Sequence, residues 1–143
     1  GRWVNGGVLA ADSGTRMRDI VDGTTNVLAI SEQGRPRTDN SDNRSSMHCG
    51  GAWMGCYYAG GHTAAGQFCQ NLVNVRYAIN SMATGLADAL YPYSSSNPLS
   101  SRHAGGAQAL RADGSVTFLS ENMALITLLR LSDKADGNVL GEY

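Results

Sequence analysis

The sequence predicts an α+β domain: an antiparallel sheet with short helices and long irregular loops. Three observations predict it. Asp113-Gly114 sits between two apolar runs, Ala107–Arg111 and Val116–Leu119. Asp and Gly tolerate the positive φ of tight hairpin turns, so the pair reads as a β-hairpin. Met123–Leu131 is an apolar run in which Leu125, Leu128 and Leu129 fall at i, i+3, i+4, the spacing of one helix face. Val27–Ile30 is a short apolar run between turn-forming residues, with β-branched ends, and reads as a buried strand.

Around these anchors the remaining elements are weaker in pattern. Gly1–Thr15 is Gly-rich and reads as extended or looped, and Asp22-Gly23 marks a turn. Gln33–Asn43 is polar and aperiodic. Short strands are expected within Ala52–Tyr58 and Val73–Ile79, with a loop at Ser94–Pro98. Ser120 or Asn122 is the expected N-cap of the C-terminal helix. Asp136-Gly137 gives a last turn, and Val139-Leu140 a final edge strand. The stretch Gln33–Ser101 holds little regular pattern. A loop region of that length commonly carries variable function.

The 143 residues fit one domain, 1–143, and a hydrophobic content of 42% supports one core. Charged residues make up 16%, low for a cytoplasmic domain, while Gly reaches 18 residues. That profile suits an exported protein rich in turns. The basic residues are ten Arg and one Lys, Lys134, in a chain of net charge −1 with no basic block. Nucleic acid is therefore not an expected partner. No apolar run approaches the roughly 20 residues that span a bilayer, and no secretory signal pattern is present.

Candidate chemistry is sparse. His103 and Asp113 bracket the first strand of the hairpin. They read as structural: Asp113 as a turn carboxylate accepting backbone N–H groups, His103 as a partner for a carbonyl or carboxylate. Asp19, Asp22, Thr24, Thr25 and Asn26 form an oxygen-rich cluster suited to Ca²⁺. Side chains capping their own turns are the favoured reading, because the spacing lacks the bidentate Glu of an EF-hand. Cys49, Cys56 and Cys69 cannot all pair within the chain. One disulfide with one free thiol, or three thiols, are both open. With His48 and His62 they are soft-metal ligand types, at spacings wider than Cys-x2-Cys. Trp53, Tyr57, Tyr58, Tyr91 and Tyr93 are ordinary in number and default to packing, with a glycan or partner surface as the alternative. There is no Gly-x-Ser-x-Gly elbow and no paired carboxylate motif, so no catalytic residue and no obligatory cofactor are expected.

Two separated blocks resemble a known family. The first is Arg18-Asp19-Ile20-Val21-Asp22-Gly23-Thr24-Thr25-Asn26-Val27 with Ser31-Glu32. The second runs from Ser101 to Tyr143 and contains His103-Ala104-Gly105-Gly106-Ala107 and Asp113-Gly114, in a His-x9-Asp-Gly spacing. Together they resemble the planctomycete prepilin-like family called domain of unknown function 1559. The resemblance implies a pseudopilin-like globular domain, following a prepilin cleavage motif and a long apolar helix. Neither of those is in this sequence, and Ala104 stands where the family often has Pro. The implied function is a non-enzymatic structural subunit of a cell-envelope or extracellular pilin-like assembly, with other protein subunits as partners. Membrane contact would come only through the missing helix. The alternative is a carbohydrate- or metal-binding module of an exported protein.

Overall fold

The computed structural model describes residues 6–9, 14–34, 52–54, 72–73, 75–81, 98–138 and 140. Among these residues five strands, β1 (Leu28–Ser31), β2 (Ala52–Met54), β3 (Leu72–Val73), β4 (Gly106–Arg111) and β5 (Val116–Ser120), form a sheet in the order β3-β2-β1-β4-β5. A 3-10 turn, Met17–Asp19, precedes β1, and a helix, α1 (Leu125–Leu131), follows β5. The fold class is α+β.

The hairpin β4–β5 is the most regular part. Its ladder runs without a break from Gly106↔Ser120 to Leu110↔Val116. The turn closes through Gly114 N donating to Arg111 O at 3.0 Å and Arg111 N donating to Ser115 O at 2.8 Å. Gly114 has φ 88°, a conformation that costs any L side chain about 1–2 kcal/mol. Gly114→Val is therefore expected to lower the thermal midpoint, while Ser115→Ala, beside it at ordinary φ, should lower it less. Equal midpoints for Gly114→Val and the parent chain would contradict the turn geometry.

β1 lies between the hairpin and the middle of the chain. It is antiparallel to β4, with a register shift between Leu28 and Ile30 that leaves one extra residue, Ala29, on β1. Such a bulge switches the side-chain alternation. Leu28 consequently faces the core, opposite Arg111, whereas Ile30 faces the other way, opposite Leu110. The core gathers Leu28, Val73, Ile79, Leu99, Ala107, Ala109, Leu119, Leu128 and Leu131 on one face of the sheet. Ala107 and Leu119 are direct cross-strand partners and both fully buried. Small residues on β4 make room there for the leucines of α1.

Several sequence expectations are corrected. The sheet is mixed, because β2 and β3 pair in parallel through Trp53↔Leu72 and Met54↔Val73. The strand expected over Val73–Ile79 is confined to Leu72–Val73, and residues 75–81 form no strand. Ile79 is nevertheless in the core. The helix starts two residues late, with Ala124 as N-cap and no side-chain cap. Ser120 is instead spent on a turn: its Oγ accepts Asn122 N at 3.2 Å and its carbonyl accepts Met123 N at 3.1 Å. The buried helix face is Leu128 and Leu131, while Leu125 and Leu129 remain more than a third exposed. Leu140 lies outside any strand and packs against the core, and Val139 lies outside the described residues.

Candidate functional site: the Glu32–His103 clasp

β1 runs on past Ser31 as a short extended tail, residues 32–34, and this tail meets the segment that leads into β4. Gly34 N donates to Ser100 O at 2.6 Å, and Ser100 Oγ returns a bond to Gly34 O at 3.0 Å. Glu32 grips Gln108 twice. Its N–H donates to Gln108 O at 3.1 Å, and its Oε2 accepts Gln108 N at 2.8 Å. Its other oxygen, Oε1, stands 3.2 Å from His103 Nε2. His103 is set in place by its own backbone, whose N–H donates to Ser101 Oγ at 3.1 Å. Asn80 supports this segment from behind, in the left-handed region at φ 57°. Its Oδ1 accepts Ser101 N at 3.0 Å, its N–H donates to Leu99 O at 2.9 Å, and its Nδ2 donates to Glu121 Oε2 at 2.8 Å.

The electrostatics follow from this geometry. Partial burial pushes the Glu32 carboxyl upward. The Gln108 amide, the Ser101 hydroxyl and the positive field of His103 outweigh it and hold Glu32 below the usual carboxylate range. With side-chain exposures of 57% for His103 and 37% for Glu32, the pair is solvent-screened, so its contribution is that of a surface bridge, about 0–1 kcal/mol. A carboxylate depressed in the folded state contributes stability above its unfolded pKa and loses it as pH falls through the folded one. Melts of the parent chain and Glu32→Gln are thus expected to differ near pH 7 and to converge as pH falls below the ordinary carboxylate range and through the lowered folded-state value. A gap of the same size at pH 3 and pH 7 would contradict the assignment.

His103 and Asp113 are not brought together. They flank opposite ends of β4, and six strand residues alone span about 20 Å. Asp113 works within its own turn: Oδ1 accepts Ser115 Oγ at 2.7 Å and Ser115 N at 2.9 Å, which holds its carboxyl below the ordinary value. The candidate calcium residues also have separate tasks. Asp22 accepts Asp136 N at 2.7 Å and Gly137 N at 3.0 Å, one on each oxygen. Asp19 accepts Arg16 N at 2.8 Å. Asn26 Nδ2 donates to Asp22 O at 3.0 Å, and Thr24 O accepts Asp113 N at 3.1 Å. Among the described residues, no group of three or more His, Cys, Asp and Glu side chains could hold a metal. Cys49, Cys56, Cys69, His48, His62, Tyr57, Tyr58, Tyr91 and Tyr93 lie outside the described residues, as does the side chain of Trp53.

The two sequence blocks are thus spatial neighbours. β1 pairs with β4, Val27 O and Thr24 O accept the N–H groups of Ala112 and Asp113, Glu32 meets His103, and Asp22 holds Asp136 and Gly137. A family model described as Protein of unknown function (DUF1559) matches residues 2–125, which spans the first block, the middle and the hairpin. The chain belongs to the DUF1559 family. No curated protein and no solved structure matches it. In this DUF1559 domain the clasp residue Glu32 had one signal in sequence, its place directly after the first strand in Ser31-Glu32. Asn80 had none beyond being an Asn, a residue type that tolerates the left-handed region. Among the described residues, no helix is long and apolar enough to cross a membrane.

Proposed function

We propose that this DUF1559 domain is a non-enzymatic structural subunit of a pilin- or pseudopilin-like assembly, exported to the cell envelope or beyond. The observation that carries this reading is how the motif residues are used. His103, Glu32, Asp113, Gly114 and Asp22 are dispersed along the β1–β4–β5 unit and engaged in clasps and turns. An active site needs an acid, base or nucleophile converging on one point. A subunit needs the opposite, a rigid scaffold that presents loops and edges to neighbours. The low charge and the Gly-rich composition suit display outside the cytoplasm.

The test is location. Intact source cells treated with protease and probed with an antibody to this domain should lose the signal, with the protein found in the envelope or medium fraction. A protease-protected signal in the cytoplasmic fraction would overturn the reading.

A ligand-binding module is the second reading. An open groove of about 620 Å³ lies beside the clasp, lined by polar Glu32, His103 and Gln108 and by apolar Ile30, Leu110 and Val116. The Gln33 Nε2 amide is buried there and meets no acceptor among the described residues. A carbohydrate would offer hydroxyls to the polar lining residues and an apolar face to the others. Glycan-induced shifts confined to these residues in an NMR titration would favour it over the subunit reading.

A further inference from the structure

β5 ends the sheet on one side. Two bonds bracket the hairpin ladder: Arg111 N to Ser115 O and Glu121 N to Gly105 O, each 2.8 Å. Hydrogen-bonded and non-hydrogen-bonded pairs alternate along an antiparallel ladder. Thr117 and Leu119 therefore spend their backbone groups on β4. The N–H and C=O of Val116 and Phe118, with the N–H of Ser120, point out of the sheet. Nothing among the described residues pairs with them.

Natural edge strands are usually blunted by Lys, Pro, a bulge or an inward charge. β5, Val-Thr-Phe-Leu-Ser, has no charged residue and no Pro, and its register with β4 has no bulge. Two of its three exposed side chains are apolar, Val116 at 68% and Phe118 at 47% exposed, and the third is Ser120. α1, which follows after four residues, adds Ile126 at 55% and the partly exposed Leu125 and Leu129. Glu121 is the single charged residue in the segment 116–129.

We propose that β5 is an assembly edge and that its occupant is β5 of a second copy of this chain. The two strands run antiparallel about a two-fold axis at Phe118. The inference rests on the subunit reading and names one of its contacts. The strand is its own complement in that register. Phe118 meets Phe118 of the second copy and Val116 meets Ser120, so the N–H and C=O of Phe118 face their own symmetry mates and the Val116 C=O faces the Ser120 N–H, while the Val116 N–H faces a Ser120 carbonyl whose first lone pair is taken by Met123 N and whose second is open. The two phenyl rings form a cross-strand aromatic pair. No charged side chain falls within the paired strands, and Glu121 falls opposite Ser115, a hydroxyl. The exposed parts of the five apolar side chains amount to roughly 400 Å² per copy, or about 800 Å² in a pair, below the ~1,200 Å² of stable standard interfaces. The contact is therefore weak alone and suited to an assembly in which several contacts act together.

Sedimentation velocity of the 143-residue chain from about 10 μM to about 1 mM tests this. The chain should shift from monomer to dimer as concentration rises. Val116→Pro removes an outward N–H while sparing the β4 ladder, and Phe118→Lys places a charge on the edge. Both should stay monomeric at the highest concentration with melting close to the parent's. Phe118→Cys should cross-link to a homodimer on mild oxidation, beyond the parent's own thiol background, because hydrogen-bonded pairs hold Cα atoms about 5.5 Å apart, within disulfide reach. Arg102→Cys, exposed but off the edge, should not. A parent chain monomeric throughout, or both edge variants dimerising like the parent, would overturn the proposal. Location remains an independent test: a surface protein that stays monomeric sinks this contact alone, and a cytoplasmic protein that dimerises through β5 sinks the subunit reading alone.

Discussion

Gly106→Ala is expected to destabilise the domain by about 3 kcal/mol or more, near the upper end of overpacking costs. A methyl group at Gly106 would run into the carbonyl oxygen of Leu119 and would come within 2.8 and 2.9 Å of two ring carbons of Phe118. The ring could swing away, since Phe118 is half exposed. The carbonyl cannot. Leu119 is the partner of Ala107 in the ladder, so moving its oxygen breaks the hairpin on which the core is built. Domains of this size hold about 5–15 kcal/mol in total, so the loss is a large share. The denaturant midpoint is the measurement. A midpoint within error of the parent's would mean that β4 and β5 do not approach as described.

Leu128→Ala is expected to cost about 2–5 kcal/mol. Leu128 is 1% exposed and sits in the same cluster as Leu28, Ala107, Leu119 and Leu131. Truncation removes three carbons from a site enclosed by the sheet on one side and its own helix on the other, and neither can collapse far. The thermal midpoint should fall by roughly 10 °C. Leu129→Ala is the control. At 38% exposure it should shift the midpoint by only a few degrees. Equal losses at the two positions would contradict the buried face assigned to α1.

That helix also shows where sequence reasoning stops. Leu125, Leu128 and Leu129 satisfy the i, i+3, i+4 rule, but so does the pair Leu128 and Leu131. In a helix of seven residues, periodicity cannot choose between overlapping stripes. The choice is made by the sheet, through the small residues of β4. The hairpin was legible because its information is local: Asp113-Gly114 fixes the turn, and the turn fixes the register of both strands. β1 was legible as a continuous apolar run, although the bulge at Ala29 was not, because it appears only against β4. Strands were expected within Ala52–Tyr58 and Val73–Ile79, which overlap β2 and β3, but their lengths of three and two residues and their parallel pairing were not legible, since their partners lie far along the chain.

The candidate site follows the same division. Asp113 could be read as a turn carboxylate because its partner, Ser115, is two residues away. Glu32 could not be assigned a role, because Gln108 and His103 reach it only after β1 and β4 have paired. The Asp19–Asn26 cluster looked like a ligand set because oxygens are dense in the sequence. In the fold those oxygens divide, with Asp22 turned toward Asp136 and Gly137 and Asp19 toward Arg16.

The central claim is that the β1–β4–β5 unit is a scaffold for assembly. Cross-linking in intact source cells, followed by recovery of this chain and mass spectrometry of the linked peptides, tests it most directly. The account predicts links between this chain and other copies or other envelope subunits, in the envelope or extracellular fraction. Recovery of the chain unlinked in the cytoplasmic fraction would contradict it.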